Sequence, residues 1–288
     1  MEKRMCWKVN SYNETGVITI KPIGIVRSDF KALDQVPIIG GGSLIEVFPE
    51  YKRGLLRIEE NSHLWLQLWF HKAKRDILSV VPGKVNPNLP EYGVFCLRAF
   101  SRPNPIALSL VRLDRVQDNL LFVSGLDALD GTPVLDIKPY YEQEIVFSPV
   151  TPYIRPLKRE MRQEIFMKQA LHHHQEECAG LLLGVRMALI ADDYLGQLNS
   201  RGLNVTVNGS PCLADVVQGL SNARLANPPR FRYNESNDLE QSIWEKNGDC
   251  LTITAKQPTT HGEFFHADDN QIFTIRFTAC PDLGERND

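Results

Sequence analysis

No apolar run in the sequence reaches the roughly 20 residues that a membrane-spanning helix needs. No membrane partner is therefore expected. Cysteine is sparse. Cys6, Cys96, Cys178, Cys212, Cys250 and Cys280 are scattered, with no Cys-x-x-Cys pair and no disulfide-framework spacing. They read as mostly reduced thiols of a cytosolic chain. The opening residues, Met1 to Lys8, lack the apolar core of a secretory signal, which also fits a cytoplasmic protein. A strong basic excess is missing too. Net charge is −3 over 288 residues, with 32 Lys+Arg against 35 Asp+Glu. The first 155 residues sit near +2 and the remainder near −5. An obligate nucleic-acid binder carries a larger basic surplus, so any RNA contact must be local or shared between protomers. There are no internal repeats and no low-complexity tract.

What is present divides into two styles. The first half reads as β structure, with candidate strands at 17–27, 55–60, 64–71, 77–85, 93–99, 106–113 and 120–125. These are short, rich in branched and aromatic residues, and separated by turn chemistry. Strands at that spacing point to a sandwich or a closed barrel. Residues 147–156 then carry three prolines, a semi-rigid boundary. Beyond it the apolar period becomes helical, at 157–171 and 179–198. Gly180 and Gly184 lie four apart on one face of the second helix and permit close packing. Ser210 and Pro211 open a third helix as N-cap and first helical residue. Short strands are expected at 204–207 and within 250–277. The chain is thus expected to be multidomain: an all-β domain over 1–155, then an α+β domain over 156–288.

The most distinctive local feature is a stiff corner, Ser101-Arg-Pro-Asn-Pro105, between two apolar stretches. Its prolines remove two backbone donors and fix two φ angles. Arg98 and Arg102 flank it, as suits a loop that holds something anionic or polar. Three further segments accompany it: Ile23–Phe30, Asn61–Trp65 with Phe70-His71, and Leu126–Tyr140 with the tight-turn pair Asp130-Gly131. Taken singly, Arg98 reads as a surface charge, His63 and Trp65 as packing residues, and Trp69 and Phe70 as core. The joint pattern says more. Arg102-Pro-Asn-Pro-Ile106 followed by Asp130-Gly-Thr-Pro-Val-Leu-Asp-Ile-Lys-Pro-Tyr140 resembles the TsaA-like family, the TrmO-type tRNA methyltransferases, over about 16–150.

That resemblance implies a small β-barrel that binds S-adenosylmethionine, works as a homodimer, and methylates N6 of threonylcarbamoyladenosine in tRNA. It implies cofactor contacts at Pro37, Phe70, His71, Arg98, Leu108, Ser124, Gly125, Leu126 and Asp127. The residue types suit the ligand. Arg98 matches the cofactor's carboxylate and Asp127 its ribose hydroxyls. Methyl transfer to nitrogen depends on in-line positioning and gains from a proton acceptor, for which Asp127 and His71 are the catalytic candidates. The chain departs from the family pattern at Leu97, Ala99, Ala107 and Pro37-Ile38-Ile39. Residues 85–92 carry no arginine where the family is basic. Fewer basic residues means weaker phosphate neutralisation. A small molecule or thiolate is therefore kept as an alternative acceptor, and a non-enzymatic metal-binding module as a third reading.

The second concentration of chemistry is His172-His-His-Gln-Glu-Glu-Cys178, expected between two helices. Cys212 follows at the second position of the third helix, where the helix dipole favours a thiolate. His174, Cys178 and Cys212 are the candidate ligands of zinc or another divalent transition metal, with one position left open. Cys178–Ala188 followed by Asn208–Gln218 resembles the FmdE-like family, a formylmethanofuran dehydrogenase type of domain. His174, Cys178, Cys212 and Asp215 fall on that pattern, and Glu176 and Ala179 depart from it. His172 and His173 are weaker ligand candidates. His261 and His266 near Glu263 offer one more donor, although Thr259–Gly262 reads more simply as a turn.

Overall fold

The computed structural model describes residues 19–147, 149–256 and 267–280. Cys6, His261, Glu263 and His266 lie outside the described residues. By its contacts the chain divides into two compact units. The first holds the described residues up to Lys74 together with Asn104–Tyr140. The second holds Arg75–Pro103 and the described residues from Tyr141 onward.

In the first unit six strands close into an antiparallel barrel. They are β1 (Gly24–Arg27), β2 (Gly41–Val47), β3 (His63–Trp69), β4 (Ile106–Gln117), β5 (Leu120–Leu126) and β6 (Pro133–Pro139). The barrel closes in the order β1-β2-β5-β4-β3-β6. Alternation sets the faces, because successive side chains of a strand point to opposite sides. On β3, Leu64, Leu66 and Leu68 are buried, while His63, Trp65, Gln67 and Trp69 are only half-buried. Trp69 therefore belongs to the outer face rather than to the core expected of it. Ile45, Leu121, Val123, Leu126 and Val134 complete the interior.

Three expected strand regions take other forms. Residues 55–60 fall in the short 3-10 turns Pro49–Leu55 and Ile58–Glu60. Pro49 starts the first turn, and the Arg57–Glu60 ion pair at 2.7 Å spans the second. Both are local interactions that serve a turn and not a ladder. Of the stretches 77–85 and 93–99, only Ser79–Val80 and Tyr92–Gly93 pair. Pro82, Pro87 and Pro90 in this region cannot donate to a ladder. Strands β2 and β6 were not singled out by the sequence pattern. Glycines open β2 and prolines bound β6, which masks both.

The second unit contains α1 (Arg159–His174), α2 (Ala179–Leu195), β7 (Leu203–Gly209), α3 (Pro211–Ser221), β8 (Phe231–Glu235), β9 (Gln241–Lys246), β10 (Asp249–Ala255), α4 (Asp269–Ile272) and β11 (Phe273–Thr278). Its five-stranded sheet has the order β8-β7-β9-β10-β11. The β8–β7 pair is parallel and the other pairs are antiparallel. Helix α2 is apolar almost all round, and its side chains join Trp244, Leu251, Ile253 and Phe273 in one core. Its buried Arg186 is paid for by Asp269 Oδ1, 3.0 Å from Nε, and by the Ala267 carbonyl. At the other end of α2, Asp192 is 3% exposed. It accepts hydrogen bonds from the Tyr153 hydroxyl and from Arg155 Nε at 2.9 Å. Arg162 bonds the adjacent Asp193 at 2.6 Å. Among the described residues no helix is long and apolar enough to cross a membrane.

Candidate functional site

The barrel's strand directions bring most of the expected cofactor residues to one rim. That rim is formed by the ends of β1, β3 and β5 and the starts of β2, β4 and β6. Phe70 follows β3, and its N–H donates to the Pro105 carbonyl at 2.9 Å, tying the proline corner to the strand end. Leu108 sits near the start of β4, opposite Gln67, with 43% of its surface exposed. Ser109 is buried and donates its hydroxyl to Asp127 Oδ1 at 2.6 Å. This bond orients an otherwise exposed carboxylate just past the end of β5. His71 is exposed beside Phe70.

The backbone explains how Pro37 reaches the same rim. The β2–β5 ladder pairs Gly41 with Leu126 and Ser43 with Val123, so a bulge falls at Ser124–Gly125. Gly125 has φ +86° and Gly40 has φ +73°, both left-handed. A Cβ on Gly40 would lie 2.3 Å from the Gly125 carbonyl oxygen. Two glycines thus let the Pro37–Gly40 turn, closed by Gly40 N–H to Pro37 O at 3.0 Å, rest directly on the bulge. This contact seats the Pro37–Gly40 turn on the bulge at Ser124–Gly125. Ser124 also lines an open cavity of about 530 Å³ with Arg27, Lys31, Ser43 and Asp130.

Arg98 falls in the other unit, exposed, within a run of turns. Its companion Arg102 does not serve a ligand. Arg102 Nε donates to the Ala99 carbonyl at 2.8 Å, and Nη2 donates to the Val94 carbonyl at 2.7 Å and to that of Leu97. The guanidinium clamps its own loop, so only Arg98 of the expected pair remains directed outward.

The second constellation gathers fully. Helix α1 runs further than its apolar spacing indicated, so His173 and His174 lie on its last turn and not in a connector. Gln175, in the left-handed conformation, caps it with N–H to Leu171 O at 3.0 Å. Three residues later Cys178 is the N-cap of α2, where Leu181 N–H donates to its Sγ at 3.4 Å. Ser210 caps α3 in the same way, by accepting from Leu213 N–H at 3.3 Å. Cys212 follows in the first turn of α3. The two helix starts meet because Gly180 has no side chain. A Cβ there would fall 2.5 Å from Cys212 Cβ and 3.0 Å from Leu213 N. Gly184, one turn on, does the same against Val216.

As a result one donor atom each of His174, Cys178 and Cys212 lies within 4.8 Å of the others. His174 Nε2 is 3.3 Å from Cys178 Sγ, and Nδ1 is 2.7 Å from Asp215 Oδ2. Burial pushes the Cys178 thiol up, but the Leu181 N–H, His174 and Cys212 outweigh it and leave the group below its ordinary value. Burial likewise works against protonated His174, and hydrogen bonds to Asp215 and Cys178 carry it above its usual range. Cys212 is pushed up by burial and then by the neighbouring Cys178. Two thiols and one imidazole, with a carboxylate behind the imidazole, are a donor set suited to a borderline-soft cation.

The family model of the tRNA-methyltransferase O N-terminal domain matches residues 25–144. A protein of Methanothermobacter thermautotrophicus named "Probable S-adenosyl-L-methionine-binding protein" is 47% identical over 130 residues, covering 43% of this chain and 91% of that relative. This chain belongs to the tRNA-methyltransferase O family. A protein of the same name from Archaeoglobus fulgidus is 35% identical over 222 residues. That alignment covers 73% of this chain and extends beyond the barrel, while the chain spans 60% of that relative's length. The mouse tRNA (adenine(37)-N6)-methyltransferase is 36% identical over 147 residues, 47% of this chain and 33% of the mouse protein. Within this member of the family, residues 173–272 match a second family model, that of FmdE, molybdenum formylmethanofuran dehydrogenase operon. The match begins at His173 and contains all three clustered donors.

Proposed function

We propose that this chain is an S-adenosylmethionine-dependent methyltransferase that methylates N6 of threonylcarbamoyladenosine in tRNA, acting as a homodimer. Family membership and the names of the relatives support cofactor and reaction, and the mouse relative's name supports tRNA as acceptor. The observation that carries the reading is the rim itself. One turn of chain bearing Pro37, the apolar Phe70 and Leu108, and an outward carboxylate held by a buried serine share one barrel end.

These residues fit the group. Phe70 and Leu108 form an apolar wall for the adenine. Asp127, with one oxygen fixed by Ser109, would accept from ribose hydroxyls. The cofactor, when bound, supplies an electrophilic methyl on a sulfonium sulfur. Asp127 and His71 are the exposed groups that can take the proton from the attacking nitrogen. The clustered His174, Cys178 and Cys212 hold zinc or a similar divalent ion, and three protein donors leave one position open.

The absence of arginine over 85–92 favours a second reading, methylation of a small molecule or thiolate. One experiment separates the two. Purified protein is mixed with methyl-labelled S-adenosylmethionine and either total tRNA or a small-metabolite extract, with and without chelator. Label in tRNA as a methylated threonylcarbamoyladenosine is the expected result. Label only in a small molecule sinks the tRNA reading, and cofactor binding without transfer to either sinks the enzymatic one. Asp127→Asn with unchanged turnover removes that residue from proton acceptance and leaves His71.

A further inference from the structure

Asp215 stands on α3, three residues beyond Cys212, and is not one of the three clustered donors. Its carboxylate is divided between two consecutive histidines of α1. Oδ2 lies 2.7 Å from His174 Nδ1, and Oδ1 lies 3.1 Å from His173 Nε2. The His173 ring is pressed against α3 one turn further on. A Cβ on Gly219 would fall 2.6 Å from its ring carbons. The opposite nitrogen of the His174 ring, Nε2, faces Cys178 Sγ at 3.3 Å.

We propose that Asp215 is the positioning residue of the metal centre, braced by His173 and acting through His174. The inference rests on the metal-binding reading above. An ionised carboxylate only accepts hydrogen bonds, and a neutral imidazole has one donor and one acceptor nitrogen. Asp215 therefore fixes the His174 hydrogen on Nδ1 and leaves the Nε2 lone pair turned toward the thiols. It also fixes the ring plane, because Nδ1 is held from α3 while the His174 backbone is held by α1. A carboxylate behind a ligating imidazole raises its basicity, and removing such a partner weakens metal affinity about 10- to 100-fold. Asp215 is 44% exposed, so water competes for it. His173, locked on the glycine backbone, supplies the second contact that holds the carboxylate in register. Both carboxylate oxygens are engaged by imidazoles, which makes this residue an orienting group and not a fourth ligand.

The test uses the full chain and its Asp215→Ala, Asp215→Asn and Asp215→Glu variants. Zinc affinity is measured by competition with a chromophoric chelator. Cobalt(II) is then bound in place of zinc, and its visible absorption reports the geometry of the centre. The melting temperature of each metal-free protein controls for folding. Asp215→Ala is expected to lose about 10- to 100-fold in zinc affinity and to shift the cobalt bands, with the metal-free melting temperature little changed. Asp215→Glu is expected to recover part of the affinity. Should Asp215→Ala fail to fold, the isosteric Asp215→Asn carries the measurement. Affinity within twofold of the parent and an unchanged cobalt spectrum overturn the positioning role. A parent chain that takes up no zinc overturns the metal reading itself, and this inference with it. The parent measurement therefore separates the two failures.

Discussion

Gly180→Ala sets two effects of known size against each other. Alanine inside a helix is worth about 1 kcal/mol over glycine, so at an open site the change raises stability. At Gly180 the new methyl would sit 2.5 Å from Cys212 Cβ and close to the α3 backbone. Neither contact is the far end of a flexible side chain, so α2 and α3 must separate. Overpacking of this kind costs about 1–3 kcal/mol. The net result is a loss of about 0–2 kcal/mol, or a melting temperature lower by roughly 0–8 °C at ~2–4 °C per kcal/mol for a unit of this size. The separation also moves Cys212 away from Cys178, so zinc affinity falls by more than stability does. Gly54 has nothing within 4 Å of an added Cβ and serves as the open-site control. Thermal melts of the metal-free variants and chelator competition read both quantities. A Gly180→Ala protein with a raised melting temperature and unaltered zinc affinity would refute the claim that this glycine sets the helix contact.

Asp192→Ala empties a buried site and leaves Arg155 and Arg162 with Asp193 as their remaining carboxylate partner, and is expected to cost about 1–3 kcal/mol in chemical denaturation. A loss under about 1 kcal/mol would place the network's worth elsewhere. Burial and then Asp192 raise the Tyr153 phenol above its ordinary 10.0. The unfolded chain gives up that proton first as pH rises, so the stabilisation is complete below about pH 10 and declines above it. Tyr153→Phe should flatten the alkaline fall in stability relative to the parent. In metal-free protein at neutral pH, Cys178 is expected to be alkylated faster than Cys212, since one thiol is shifted down and the other up. Peptide mapping after brief iodoacetamide treatment measures the ratio, and zinc should suppress both reactions.

The barrel was legible where alternation is clean. Leu64, Leu66 and Leu68 announce their face, and β3, β4 and β5 follow from such runs. Strands β2 and β6 are hidden because glycines open the first, prolines bound the second and Asp136 sits at its middle, residues that single-strand patterns treat as punctuation. Their pairing is fixed by neighbours far away in the chain, β5 for one and β3 and β1 for the other. The same non-locality covers β8 and β9, where Ser242 and Trp244 are buried but the stretch between 222 and 249 carries no strong period. The reverse error, strands expected at 55–60, 77–85 and 93–99, arises because branched residues there serve 3-10 turns and a proline-bound loop.

Arginine at the corner shows why residue type alone misleads about a site. Arg98 and Arg102 look equivalent in sequence, four apart and both beside the prolines. Arg102 accounts for its guanidinium with the carbonyls of Val94, Leu97 and Ala99, groups left without partners by a loop too rich in turns to form a ladder. A stiff loop generates orphan carbonyls, and a nearby arginine satisfies them. The His172–Cys178 segment shows the opposite. Its ligand-type residues gained meaning from two glycines that look inert. Gly180 and Gly184 bring α3 against α2, and with it come both Cys212 and Asp215. The spacing of small residues indicated close packing for α2, and the structure places α3 with Cys212 in that contact. The sequence already ranks His174 above His173 as a ligand, but it does not show the contact behind that rank. It is the carboxylate between His173 and His174 that separates the histidine facing the thiols from the one that braces it.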